Sequence, residues 1–310
     1  TNADRGSFNP YIDNGNSRFL KVAGDGFMLK FNRWNGFLTQ YEVEGTEMLT
    51  KDGQLTPNFW RAPTDNDFGA RLQRRYEAWR TPAMNLKSLD ANAEDGIVTV
   101  KAEYEMPGVQ GNLAMTYVVN KEGAVLVTED FKADKDAKVS NMFRFGMQMQ
   151  MPEEFDAIEY YGRGPVENYS DRNHSAFLGV YQQSVDDQFY PYIRPQETGT
   201  KTDVRYWKQL NNRGNGLEFM AEQPFSISAL DYSISSLDDY PDKDNKKHSH
   251  GPLVKKAGYT NVCIDKVQQG LACVNSWGAT PLPEYTIPYG DYTFTFMMKP
   301  VFNHVMNHYQ

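Results

Sequence analysis

Apolar and polar residues alternate with a period of two along most of the chain. "RFLKVA" (18–23) and "FMLKFN" (27–32) do so on either side of Gly26, which reads as a hairpin. "GFLTQYEVEG" (36–45), "GIVTVKAEYEM" (96–106), "NLAMTYVVN" (112–120) and "AVLVTEDFKA" (124–133) repeat the pattern between Gly and Asn turns. "NMFRFGMQMQM" (141–151) alternates over a longer span. "TDVRYWKQLN" (202–211), "GLEFMAE" (216–222), "FSISALDY" (225–232), "NVCIDKVQQG" (261–270) and "DYTFTFMMK" (291–299) follow, so the sequence predicts at least a dozen strands. Successive side chains of a strand point to opposite faces, so alternation marks sheets with one face in a core. The links are short and hold few helical patterns, which excludes a βαβ fold. A single twisted sheet of that many strands curls or splits. The expectation is an all-β fold of two large antiparallel sheets packed face to face.

Two runs break the pattern. In "GARLQRRYEAW" (69–79), Leu72, Tyr76 and Trp79 share one helical face. "SISSLDDY" (233–240) reads as a short helix with a Ser cap, followed by a polar surface loop over 241–256. No linker, repeat or composition break divides the chain, so residues 1–310 are expected to form one domain, with 1–16 as an irregular lead-in.

Composition narrows the partners. The chain is 40% hydrophobic and 14% aromatic, with a net charge of −8. The Tyr and Phe suit a β core. The acidic balance argues against nucleic acid and anionic membranes, which require clustered basic charge. No apolar window is long enough to cross a membrane. A soluble protein is expected, with cytoplasm and periplasm both open. The start "TNADRGSFNPYIDNG" carries no signal pattern, and residue 1 is not Met, which leaves room for a preceding signal or domain.

Most familiar chemistries lack their residues. Cys263 and Cys273 fit no metal or redox spacing and read as buried thiols. His248 with His250, and His304 with His308, have no third ligand nearby, and "DNDFG" and "PDKDN" miss the full calcium-loop spacing, so no metal site is expected. No G-x-S-x-G occurs, and "YGRGPVENYSDR" (161–172) lacks the third glycine of a dinucleotide cradle. Glycoside hydrolysis needs two carboxylates, and no acidic residue sits at the end of a recognisable barrel strand.

Three polar-aromatic runs remain. In "NFWRAPTDNDFG" (58–69), Asp65, Asn66 and Asp67 can cap a helix or form Asx-turns, and Gly69 can act as a hinge. "YIRPQETGTKTDVRYW" (192–207) sets Arg194, Glu197, Lys201 and Arg205 among aromatics and reads as an edge strand with solvated charges. "VNSWGATPLPEY" (274–285) puts Trp277 in a loop, where it either plugs a gap or offers a flat face to a ligand.

Taken in order, "NFWRAPTDNDFG", "YYGRGPVENYSDR" with "YIRPQETGTKTDVRYW", and "NSWGATPLPEY" resemble the C-terminal, small-chain domain of the large β-galactosidases of glycoside hydrolase family 2. The resemblance runs from about residue 27 to 300. It implies a large antiparallel two-sheet supersandwich, similar to galactose mutarotases. It implies a retaining enzyme acting on terminal β-D-galactosides, with both catalytic glutamates in an upstream (β/α)8 barrel and none in this chain. The domain would then complete the rim of the active site. Trp277 resembles the tryptophan that stacks on the sugar, Gly69 the hinge of a mobile loop, and Asp65 to Asp67 its entry, with Arg61 and Glu197 as support. Val274 and Asn275 depart from the acidic residues common before that tryptophan. Family enzymes use Mg and Na in other domains, so no cofactor is expected in this chain. The implied partners are a galactoside, the other domains of the enzyme, and further copies in a homo-oligomer. Two alternatives stand beside this reading. One is a mutarotase or epimerase using His174 or His248 with Glu197 as acid–base pair. The other is a stand-alone carbohydrate-binding module.

Overall fold

The computed structural model describes residues 5–238, 254–272 and 278–303. Among them, two antiparallel sheets account for nearly all regular structure. The smaller has five strands in chain order: β1 (Tyr11–Asp13), β2 (Phe19–Gly24), β3 (Phe27–Asn32), β4 (Leu38–Val43) and β5 (Thr46–Glu47). β1 pairs with Ala23, Val22 and Lys21, so part of the expected irregular lead-in belongs to the sheet.

The larger sheet has twelve strands. Its path runs β13 (Phe177–Ser184), β12 (Ala157–Gly164), β14 (Lys201–Leu210), β15 (Gly216–Leu230), β17 (Tyr292–Val301), β10 (Val125–Ala133), β9 (Gly111–Val119), β8 (Ile97–Met106) and β7 (Asn85–Glu94). β15 is one strand of 15 residues where the sequence pattern suggests two. The bridging "QP" adds no turn. β15 also branches the sheet: Gly216–Met220 pair with β17, whereas Ser226–Leu230 pair with β16 (Tyr259–Gln268). β16 continues to β11 (Arg144–Pro152), which pairs with β6 (Thr56–Asn58).

Strands β7 and β13 escape the pattern. β7 and β13 carry mostly exposed or half-buried side chains, so neither shows a clean apolar face. β13 ends the sheet path, with Phe177, Leu178 and Val180 exposed. β14, by contrast, lies between β12 and β15, so "TKTDVRYW" is an interior strand rather than an edge. Trp207 is buried there and stacks on Tyr160 at 4.8 Å.

The sheets share one core. Phe31 of the small sheet meets Tyr117 of β9 edge-on at 4.9 Å, and Phe37 stacks on Tyr104 of β8 at 5.5 Å. Hydroxyls lock this seam: Tyr41 donates to the Gly123 carbonyl and Tyr104 to that of Asn35.

The predicted helical run is broken. Its face forms, but from three pieces: α1 (Asp65–Gly69), α2 (Leu72–Arg75) and a 3₁₀ turn at Glu77–Trp79. Arg71, left-handed at φ 59°, separates α1 from α2. Leu72, Tyr76 and Trp79 are all buried, so burial of these apolar side chains sets the path while the backbone hydrogen bonding does not stay helical. Trp79 packs between Phe59 (5.3 Å), Phe131 (5.5 Å) and Tyr289 (6.1 Å), and its Nε1 donates to the Ser140 carbonyl. α3 (Ile234–Asp238) bears out the Ser cap, since Ser233 Oγ accepts from Ser236 N.

Trp79 thus joins the short helical segment to both the core and the C-terminal strand region. Trp79→Ala is expected to cost about 3–5 kcal/mol, measured by urea denaturation. A loss below about 1 kcal/mol would show that the aromatic cluster collapses freely around the gap.

Candidate functional site

The polar-aromatic runs converge on one place. After β6 the chain passes through Phe59–Pro63 into α1, and neighbouring side chains diverge. Trp60 meets Phe143 edge-on at 4.8 Å, and its Nε1 donates to Asp238 Oδ2 at 2.8 Å. Arg61 turns inward and is fully buried.

A buried guanidinium must be neutralised and must spend its donors. Arg61 does both. Its Nε and Nη2 donate to the two oxygens of Asp67 at 3.0 and 2.8 Å, a bidentate pair. Its remaining donors reach the carbonyls of Gln269 at 2.5 Å and Gly270 at 3.2 Å. Burial pulls the guanidinium pKa down, but Asp67 together with Glu197 and Tyr169 holds it above the usual range. Asp67 is also the third residue of α1. Thr64 is the N-cap, with its Oγ1 accepting from Asp67 N at 3.2 Å while Asp67 Oδ2 accepts from Thr64 N at 2.9 Å. The capping box therefore starts one residue earlier than the Asp65–Asp67 cap that the sequence suggests. The signal was present as T-x-x-D.

A second buried arginine lies beside the first. Arg144 Nη2 and Nε donate to Asp265 Oδ2 at 2.7 and 3.1 Å, and Nη2 also reaches Gln268 Oε1 at 3.1 Å. Glu197 stands 3.6 Å from Nη1 and accepts from Thr200 Oγ1 at 2.8 Å, while its amide donates to the Ala62 carbonyl. Burial raises the Asp265 carboxyl to about 6, with Arg144 pulling the other way. Sequence reasoning missed Arg144 and Asp265, because each occupies one position of an otherwise ordinary alternating strand. Glu197 is committed to Thr200 and Arg144, and His174 is exposed on the turn that precedes β13. The acid–base pairing suggested for a mutarotase is therefore not assembled from these two. Its other histidine, His248, lies outside the described residues, as do His250, His304 and His308.

The chain leaving β16 is gripped residue by residue. Ser170 Oγ donates to the Gln268 carbonyl, and Tyr76 donates to Gln269 Oε1 at 2.9 Å. Asp171 accepts from Leu271 N at 3.0 Å and Ala272 N at 2.8 Å, Asn66 Nδ2 donates to the Leu271 carbonyl at 3.1 Å, and Arg172 donates to that of Ala272. Gly270 is required here, because a Cβ would come 2.4 Å from Asp171 Cγ. On the far side, Gly278 at φ 80° leaves only 3.0 Å between its would-be Cβ and the Gly69 carbonyl oxygen. Gly69 itself is the last residue of α1 and has ordinary helical placement. Asp65 points away from this clamp to Arg194 at 2.8 Å and Gln196. Trp277, Cys273, Val274 and Asn275 lie outside the described residues. Cys263 is a buried free thiol whose pKa burial pushes up to about 12.

Lys201 is the buried cation of β14. Its ammonium donates to Gln188 Oε1 at 2.9 Å, and burial pulls its pKa down to about 8 against the upward pull of Glu167. Among the described residues, no three His, Cys, Asp or Glu side chains stand close enough to hold a metal ion, and no helix is long and apolar enough to cross a membrane.

Known proteins match this chain in sequence. Residues 23–298 match the family model described as beta galactosidase small chain, and the chain belongs to that family. It is 31% identical over 92% of its length to a beta-galactosidase of Priestia megaterium, covering 27% of that protein. It is 33% identical over 86% of its length to one of Lactobacillus delbrueckii subsp. bulgaricus, covering 26% of it. The chain thus spans about a quarter of the length of these curated relatives. Among solved structures, a TPR-domain containing protein from Parabacteroides distasonis aligns with TM-score 0.50 at 9% identity, over 91% of this chain and 47% of that one. Galactose 1-epimerase from Lactobacillus acidophilus NCFM aligns with TM-score 0.48 at 9% identity, over 95% and 98%.

Two outcomes test this geometry. Asp67→Asn leaves Arg61 buried without its counter-charge and is expected to cost about 3–5 kcal/mol, whereas Asp65→Asn, on a half-exposed pair, costs under about 1 kcal/mol. Equal losses by chemical denaturation would refute the division of roles. Lys201 loses its proton in the folded state near pH 8 but near pH 10.5 when unfolded, so the unfolded chain binds more protons between them and stability rises with pH there. Relative to Lys201→Met, the wild type should gain about 2 kcal/mol from pH 8 to 9.5. Parallel stability curves would show Lys201 to be solvated.

Proposed function

We propose that this chain is the C-terminal, non-catalytic part of a β-galactosidase that hydrolyses terminal β-D-galactosides. In that reading it forms one side of the sugar site, with Trp277 stacking on the pyranose. The single observation that carries this is the clamp on Leu271, Ala272 and Gly278, the described residues that flank Trp277 in the chain. Asp171, Asn66 and Arg172 fix Leu271 and Ala272 on one flank, and Gly278 is seated against Gly69 on the other. In the chain Trp277 follows the fixed Leu271 and Ala272 and directly precedes the seated Gly278. A sugar platform needs such anchors, since small misplacements at a reacting site are costly.

The chain's own buried carboxylates support a non-catalytic role. Asp67 and Asp265 are spent on arginines, Glu197 on Thr200 and Arg144, and Glu129 is sealed in the core with its pKa raised by burial. None is free to meet a substrate. The two catalytic glutamates of a retaining mechanism then belong to an upstream barrel domain, and any Mg or Na to other parts of the enzyme. The partners are those other domains and, in the whole enzyme, further copies of the same subunit.

The purified chain should release no chromophore from a nitrophenyl galactoside, and turnover by it would overturn the reading. In the full-length enzyme, Asp171→Ala is expected to lower kcat/KM by roughly tenfold to a hundredfold, in the same direction as Trp277→Ala. Unchanged kinetics in both variants would remove this segment from the site.

A further inference from the structure

A second concave region lies on the other side of the Trp60–Arg61 step. It is a cleft of about 370 Å³ between α3 and the outward face of the β6–β11–β16 sheet. That volume falls in the range of small-molecule sites, roughly 300–1,000 Å³. The strand register builds its floor. Gln148 of β11 sits between Thr56 of β6 and Cys263 of β16, and Gln150 lies opposite Asn261. Because side chains alternate, this face carries the amides, while Met147, Met151, Val262 and Ile264 of the same strands point into the core.

We propose that this cleft binds a neutral saccharide, at a site distinct from the one assigned to Trp277. Three features select that chemistry. Each amide offers both a donor and an acceptor, which matches hydroxyl groups that do the same. Gln148, Gln150 and Asn261 put three such groups on one floor, and Ser233 and Tyr259 add hydroxyls at the rim. The charged groups are largely self-neutralised: Arg80 is paired with Asp238 at 2.8 Å, and Asp52 adds a negative charge that disfavours anionic ligands. Apolar surface from Ile234 and the edge of Trp60 borders the polar floor, as a pyranose with one C–H face and a rim of hydroxyls requires. The cleft is independent of the clamp, because Trp60 and Arg61 diverge, the one to Asp238 and the other to Gln269 and Gly270.

The test is titration of the ¹⁵N-labelled chain with lactose, with galactose 6-phosphate as the anionic control. The side-chain amide resonances of Gln148, Gln150 and Asn261 should shift in a saturable way with lactose and no more strongly with the phosphate ester. Gln148→Ala, with an unchanged unfolding midpoint, should weaken binding about tenfold, as loss of one or two hydrogen bonds predicts. Gln150→Ala serves as second variant if the first is unstable. Trp277→Ala should leave these shifts intact. Absence of shifts at those amides, or their loss on Trp277→Ala, overturns the proposal. Neither result bears on the kinetics of the full-length Asp171 and Trp277 variants, so the two sites fail separately.

Discussion

Two guanidinium groups inside an all-β core set the terms for the rest of this molecule. Arg61 and Arg144 are both buried, and an unpaired buried charge costs several kcal/mol. Each must therefore collect a carboxylate and several carbonyl or amide oxygens. The oxygens come from segments far apart in sequence: Asp67 from α1, Glu197 from the run before β14, and Asp265 with residues 268–270 from the end of β16. Arg144 reinforces β11 and β16, which their backbones already pair, whereas Arg61 ties α1 to residues 269 and 270 beyond the end of β16. The clamp on Leu271 and Ala272 is built on that frame.

One strand face serves two purposes as a result. Along β11 and β16 it begins with the Arg144–Asp265 pair and continues through Gln148, Cys263, Gln150 and Asn261. The charged end is closed over by the chain and rigidifies it. The neutral end opens into the cleft beside α3. The opposite face of the same strands is methionine-rich and aliphatic, so the polar face is maintained without weakening the core.

Much of this was legible in the residues. Alternation revealed the hairpin at Gly26, the strands of the core and the all-β class, because those strands have one wet and one dry face. It did not reveal β7 or β13, whose faces are both largely exposed, nor the continuity of β15 through Pro224. The helical face of Leu72, Tyr76 and Trp79 was correct as a buried surface and wrong as one helix, because Arg71 takes a left-handed conformation that no local signal announces. In the candidate site, the motifs named segments that meet in the structure, but their contacts with one another left no pattern in the sequence. Arg61, Asp67 and Glu197 are buried structural charges, and Asp171, unnoted by sequence reasoning, holds the chain that leads toward Trp277. Pairings across 100 residues or more leave no local trace, as with Asp171 and Leu271.

β15 gives the fold a timetable. Its first half zips to β17 and its second half to β16, while β14 runs along both. The branch through β16 is complete only once residue 268 is available, and the path through β17 only near residue 300. The earliest partner of β11, β6, comes from residues 56–58, so loops of nearly a hundred residues must close before the branch can register. Such long closures carry a large entropic cost before any contact repays it, which places this chain among slowly assembling β topologies. Until residues near 300 emerge from a ribosome, β10 and β15 lack the strand that joins them, and each presents an unpaired edge.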